Sequence, residues 1–60
     1  MYAFFNKDNL IFKIEEPGLN EYECYIYSQD NKLIRKYSNL KCSSFQNAFD
    51  KVLKEMEKDK

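Results

Sequence analysis

Two thiols and two neighbouring carboxylates are the most reactive side chains in this 60-residue sequence: Cys24, Cys42, Glu15 and Glu16. What they can do is bounded by what does not accompany them. The chain has no histidine, so neither a Ser-His-Asp nor a Cys-His arrangement can be assembled. Two cysteines without histidine also fall short of the ligand set of a Cys/His zinc site. Gly18 is the single glycine, which removes the glycine-rich turns that bind dinucleotides or cradle phosphates. Glu15 and Glu16 follow one another on a stretch that alternates as a strand does, so their side chains leave opposite faces and cannot act as a pair. Cys24 falls on the apolar side of its strand, where a thiol is buried and inert. Cys42 immediately precedes a helix, whose N-terminus can lower a thiol pKa, although packing beneath the helix start is the plainer reading. A non-catalytic chain is therefore expected, with no cofactor, no metal and both cysteines reduced, since no signal peptide points to an oxidising compartment.

The elements that carry these residues are legible from their periods. From Ser43 to Met56 the apolar residues Phe45, Ala48, Phe49, Val52, Leu53 and Met56 form one stripe at helical spacing. Ser43 followed by Gln46 has the form of a capping box. Before this helix the chain alternates instead. Tyr2 to Phe5 suit a first strand, and the cluster Asn6, Lys7, Asp8 and Asn9 suits the turn after it. Leu10, Phe12 and Ile14 make a half-buried second strand, closed by Pro17-Gly18 as the centre of a type II turn that Leu19-Asn20 completes. Glu21 to Ser28 form a third strand, with Tyr22, Cys24 and Ile26 on one face and Glu23, Tyr25 and Tyr27 on the other. Gln29, Asp30 and Asn31 read as a three-residue hairpin loop with Asn31 left-handed. That register puts Ile26 opposite Ile34 and Tyr27 opposite Leu33 in a fourth strand, Leu33 to Ser38, after which Leu40 packs beneath the helix. The expected fold is a single α+β domain over residues 1–60: a four-stranded antiparallel meander (β-β-β-β-α) with the helix on one sheet face.

Composition sets the surroundings of this fold. A chain of this size buries only about 60% of the surface its unfolded form exposes, so self-association is an available source of stability and a homodimer is expected. No run approaches the roughly 18 apolar residues that span a bilayer, and the expected location is the cytoplasm, with no membrane partner. Lys, Asn, Tyr, Phe and Ile are abundant, residues with AT-rich codons, which points to an AT-rich bacterium or one of its phages. Net charge is zero but unevenly spread: residues 1–30 carry two lysines against six carboxylates, −4, and residues 31–60 balance at +4. Either oppositely charged strands pair across the sheet, or two complementary patches engage a partner.

The sheet carries more apolar surface than one helix can cover. If the helix covers Leu10, Phe12, Ile14, Cys24, Ile26 and Ile34, then Tyr25, Tyr27, Leu33 and Tyr37 gather on the other side, with Glu23 and Arg35 or Lys36 near them. Such a face can be solvent-tolerant filler, a protein or dimer interface, or a base-stacking surface, for which Glu21 and Glu23 are the wrong charge. The stretch Glu21 to Met56, with the run YECYIYSQDNKLIRKYSNLKCSSFQNAFDKVLKEM, resembles the three-stranded-sheet-plus-helix pattern of AP2-type DNA-binding domains and of the amino-terminal arm-binding domains of tyrosine integrases. By that resemblance Tyr25, Tyr27, Lys32, Arg35 and Tyr37 would face the DNA major groove. Here the families' turn glycine is Asn31, their glycine before the helix is absent, and the sheet is less basic than theirs. The function expected from the residues is a small binding protein, of the kind phages use to inhibit or modulate host proteins, that occupies a protein partner through Tyr25, Tyr27, Leu33, Arg35 and Tyr37. Sequence-tolerant DNA binding through the sheet and a structural or assembly subunit are the alternatives.

Overall fold

The alternating and helical periods resolve into β1 (Tyr2–Lys7), β2 (Leu10–Gly18), β3 (Glu21–Tyr27), β4 (Leu33–Lys41) and α1 (Phe45–Lys58). These come from a computed structural model of the protein that describes residues 1–58; residues 59 and 60, included in the expected domain, lie outside the described residues. The strands form one antiparallel sheet in the order β1-β2-β3-β4, with α1 on one face, the α+β meander expected from the periods. The core lies between them: Phe12, Ile14, Cys24 and Ile26 from the middle strands meet Ala48 and Val52 of the helix, all at most 1% exposed.

Phe49 is the hub of this core. Its ring stacks on Phe5 at 4.4 Å between centroids and meets Phe12 edge-on at 5.1 Å, joining helix, edge strand and central strand through one side chain. Tyr22 and Phe45 make a second edge-on pair at 5.4 Å, fixing the start of the helix over β3. Leu40 and Cys42 are buried beneath the same helix end, as expected for both.

The helix begins one residue later than its capping signal indicated. Ser44, not Ser43, is the N-cap: its Oγ accepts the Asn47 N–H at 3.1 Å and its carbonyl accepts the Ala48 N–H at 3.0 Å. Asn47 Oδ1 in turn accepts the Ser43 N–H at 3.4 Å. This is a variant of the capping box: Asn47, not Gln46, reaches back, and it does so to the residue before the N-cap rather than to the N-cap itself. Gln46 instead donates along the helix to Asp50 at 3.2 Å.

Turns and bulges rest on asparagine and aspartate in the left-handed region. Asp8 and Asn9, with φ of 52° and 65°, close the β1–β2 hairpin as a two-residue loop between Lys7 and Leu10. Positive φ at both loop positions is what a type I′ turn requires. The next turn differs from expectation. Gly18 does not have positive φ and pairs with Glu21 as the last residue of β2, so the loop is Leu19-Asn20, with Asn20 at φ 58°. Pro17 sits where the β2–β3 register slips between Glu15 and Gly18, a bulge that tolerates its missing N–H. In the third hairpin Ser28 and Lys32 pair around Gln29, Asp30 and Asn31, with Asn31 at φ 65°, the loop read from the sequence.

β4 departs most from a regular strand. Tyr27 faces Leu33 as expected, but Ile26 faces Arg35 rather than Ile34, because an extra residue enters β4 at that point. A second slip falls between Tyr37 and Leu40, where Asn39 takes φ 58°. Each slip turns the following side chains onto the other face. Ile34, expected in the core, is consequently 54% exposed.

Candidate interaction surface

The register assigns every strand residue to a face, because residues directly opposite one another in an antiparallel pair project to the same side. On the side away from α1 this gives three rows running across the strands. One is Asn6, Ile11, Tyr27 and Leu33; the next is Phe4, Lys13, Tyr25 and Lys36; the third is Tyr2, Glu15 and Glu23. The surface is thus graded: apolar at one side, aromatic and cationic in the middle, acidic at the other.

Its charges are held in place by one another. Glu15 and Glu23 face each other across β2 and β3, an unfavourable arrangement alone. Lys13 lies 3.4 Å from Glu15 and Lys36 lies 3.9 Å from Glu23. The two ammonium groups also sit over rings, Lys13 5.3 Å from the centre of Tyr2 and Lys36 5.1 Å from that of Tyr25. Exposed ion pairs and cation–π contacts of this kind contribute about 1 kcal/mol or less each. Their larger effect is to hold the two long lysine side chains against the rings of Tyr2 and Tyr25.

Of the residues expected to gather here, Tyr25, Tyr27 and Leu33 do so. Tyr37 and Arg35 do not. The slip at Ile34 pairs Tyr37 with buried Cys24 and Arg35 with buried Ile26, which turns both toward the helix side. Tyr37 packs half-buried against the core, with the Arg35 guanidinium 5.4 Å from its ring centre. Lys32 stays in the hairpin loop, 3.8 Å from Asp30. The five residues that the AP2-type resemblance would direct into a DNA groove are therefore divided between two faces and a loop. In their place β1 and β2 bring Tyr2, Phe4, Ile11 and Lys13, which sequence reasoning placed on strands but not on this surface. Tyr2 and Phe4 are 60% and 57% exposed and meet edge-on at 5.4 Å. The signal for them was the even-numbered spacing in Tyr2 to Phe5, the same alternation used for the other strands.

The reactive side chains are where inert ones are found. Cys24 and Cys42 are both free thiols and both buried. Burial pushes the Cys24 thiol from 9.0 up to about 12, so it is not a thiolate near neutrality. Burial, and next the Glu16 carboxylate to which its hydroxyl bonds, raise the Tyr22 phenol above its usual range. Glu16 thus points to the Tyr22 side while Glu15 bonds Lys13 on the open face, the opposite orientations expected of neighbours on a strand. Among the described residues no group of three or more His, Cys, Asp or Glu side chains could hold a metal ion. No helix there is long and apolar enough to cross a membrane.

Among the described residues two grooves run along α1: a shallow one of about 390 Å³ lined by Lys41, Asn47, Asp50, Lys51, Lys54, Glu55 and Lys58, and one of about 360 Å³ between the β1–β2 hairpin and the end of α1, floored by Leu10, Phe12, Leu53 and Met56. The second also carries Lys7, Asp8 and Glu57, all exposed, so no enclosed polar group among the described residues fixes the orientation of a small ligand there. The open sheet face is the better candidate for function. No family model, curated protein or solved structure matches the chain in sequence or fold.

Proposed function

We propose that the protein is a non-catalytic binding module that occupies a protein partner with its open sheet face. The observation carrying this reading is the contiguous surface of Tyr2, Phe4, Ile11, Tyr25, Tyr27 and Leu33 on the side that α1 leaves uncovered. Tyrosine is among the residues enriched at the energetic centres of protein interfaces, and it buries much area for few frozen rotors. The neighbouring Glu15–Lys13 and Glu23–Lys36 pairs supply a polar rim that selects among partners rather than adding affinity. Nucleic acid is the weaker match: both lysines of the face are committed to carboxylates, and the Tyr2 row is acidic. A small chain acting by occupation fits the role of an inhibitor or accessory module, the reading taken from the residues alone.

The test is capture of partners from bacterial lysate with the tagged chain, with and without nuclease, for the native protein and for Tyr25→Ala, Tyr27→Ala and Lys54→Ala. The expected result is a nuclease-resistant protein partner lost with either tyrosine variant and retained with Lys54→Ala, whose site is on the exposed helix face. Retention of the partner by both tyrosine variants would remove the sheet face from the function. Recovery of nucleic acid in place of protein would transfer the assignment to the DNA-binding alternative.

A further inference from the structure

The two outer strands of the sheet are built differently. β4 is interrupted twice, at Ile34 and before Leu40, and carries Arg35, Lys36 and Lys41. Bulges and cations are the devices by which an edge strand is kept from pairing with another chain. β1 has neither. It runs without a slip from Tyr2 to Lys7 against β2, and its only charged side chain is Lys7 at its end. Among the described residues it has a strand neighbour on its β2 side alone.

The direction of its backbone groups follows from two fixed points. Lys7 and Leu10 flank the two-residue loop, and the Met1 carbonyl accepts the Glu16 N–H at 3.2 Å. Odd-numbered residues of β1 therefore bond to β2, and Tyr2, Phe4 and Asn6 direct their N–H and C=O groups to the open edge. Such a row is a template for one more strand. The sequence of β1 fits that role for a copy of itself. Antiparallel pairing about Phe4 sets Phe4 against Phe4 of the second copy and Tyr2 against Asn6. On the helix side it sets small Ala3 against large Phe5, and no charged side chains face each other between Tyr2 and Asn6.

We infer that two copies of this chain join through β1 in antiparallel register about a twofold axis at Phe4, forming one eight-stranded sheet. Both helices then lie on one side and both open faces on the other, so the Phe4, Lys13, Tyr25, Lys36 row runs across the junction and is doubled. The pairing uses the edge rather than the face, and it does not rest on the binding function proposed above.

Two sets of variants test it by sedimentation velocity over micromolar to millimolar concentrations. The native chain is expected to dimerise, and Tyr25→Ala, on the face but off the edge, to dimerise equally. A semisynthetic chain with an N-methyl group on the Phe4 amide keeps every side chain and the β1–β2 bonds but loses the donor at the twofold axis. Its dimerisation is expected to weaken on the order of 100-fold or more, with an unchanged circular dichroism spectrum. Phe4→Lys and Phe4→Glu are each expected to be monomeric, since like charges then meet at the axis, and to form a mixed dimer when combined. A native chain that stays monomeric at millimolar concentration overturns the inference, as does an N-methyl chain that dimerises as well as the native one. A mixture of the Lys and Glu variants that remains monomeric overturns the register.

Discussion

Cys24 shows how little the reactive groups of a chain say without their surroundings. It is enclosed by core residues, and its proton is held to about pH 12 where the ordinary thiol releases it at 9.0. The unfolded chain therefore loses this proton first as pH rises, and the folded form loses stability across that window. Tyr22, also raised, adds to the loss above 10.0. Urea unfolding is expected to give a stability that falls as pH rises beyond about 9, with a shallower fall in Cys24→Ala. At neutral pH a thiol reagent should modify Cys24 only as fast as the domain opens, which a comparison of labelling with hydrogen exchange would show. Tyr37 makes the complementary case. Packed against the core beside Arg35, it is expected to lower stability by about 1 to 3 kcal/mol when replaced by alanine. Partner binding per folded molecule should be unchanged, the reverse of Tyr27→Ala.

At the scale of elements the helix carries most of the consequence. Phe49→Ala removes a ring stacked on Phe5 and set against Phe12, a loss of about 3 to 5 kcal/mol. That equals roughly the whole stability a core of this size supplies, so the variant should be largely unfolded by circular dichroism at ambient temperature. Ser44→Ala should cost about 0.5 to 2 kcal/mol in urea unfolding and Ser43→Ala less, because Ser44 Oγ is the acceptor for the otherwise free Asn47 N–H. The number, order and type of elements were readable because each runs long enough to show its period. The boundaries were not, where two local signals compete. Ser43 and Ser44 offer equivalent hydroxyls, and the choice between them follows the packing of this helix end, Tyr22 against Phe45 and Leu40 and Cys42 buried beneath it. Pro17-Gly18 has turn chemistry, yet Asn20 takes the left-handed position and Pro17 the bulge. The face of Tyr37 was illegible for a similar reason: nothing in the Leu33 to Ser38 alternation marks the residue that is left over at Ile34.

At the scale of the molecule, one helix covers one side of a four-stranded sheet and leaves the other side to be used. If that surface binds protein, affinity should change little between low and moderate salt, since its charges are paired among themselves. A loss of binding that is linear in log affinity against log salt would instead mark phosphate contacts. The interruptions of β4 have a different consequence. A sheet with two open edges behaves as a bifunctional monomer and can polymerise, each added copy exposing a fresh end for the next. Under the β1 pairing inferred above, this sheet has one among the described residues, so a single addition would consume the reactive end and growth would stop at a pair. Concentrated solutions held at neutral pH should accordingly stay free of thioflavin-positive fibrils. Converting the terminator into a propagating unit should require removing both interruptions, at Ile34 and Asn39, together with the cations of β4.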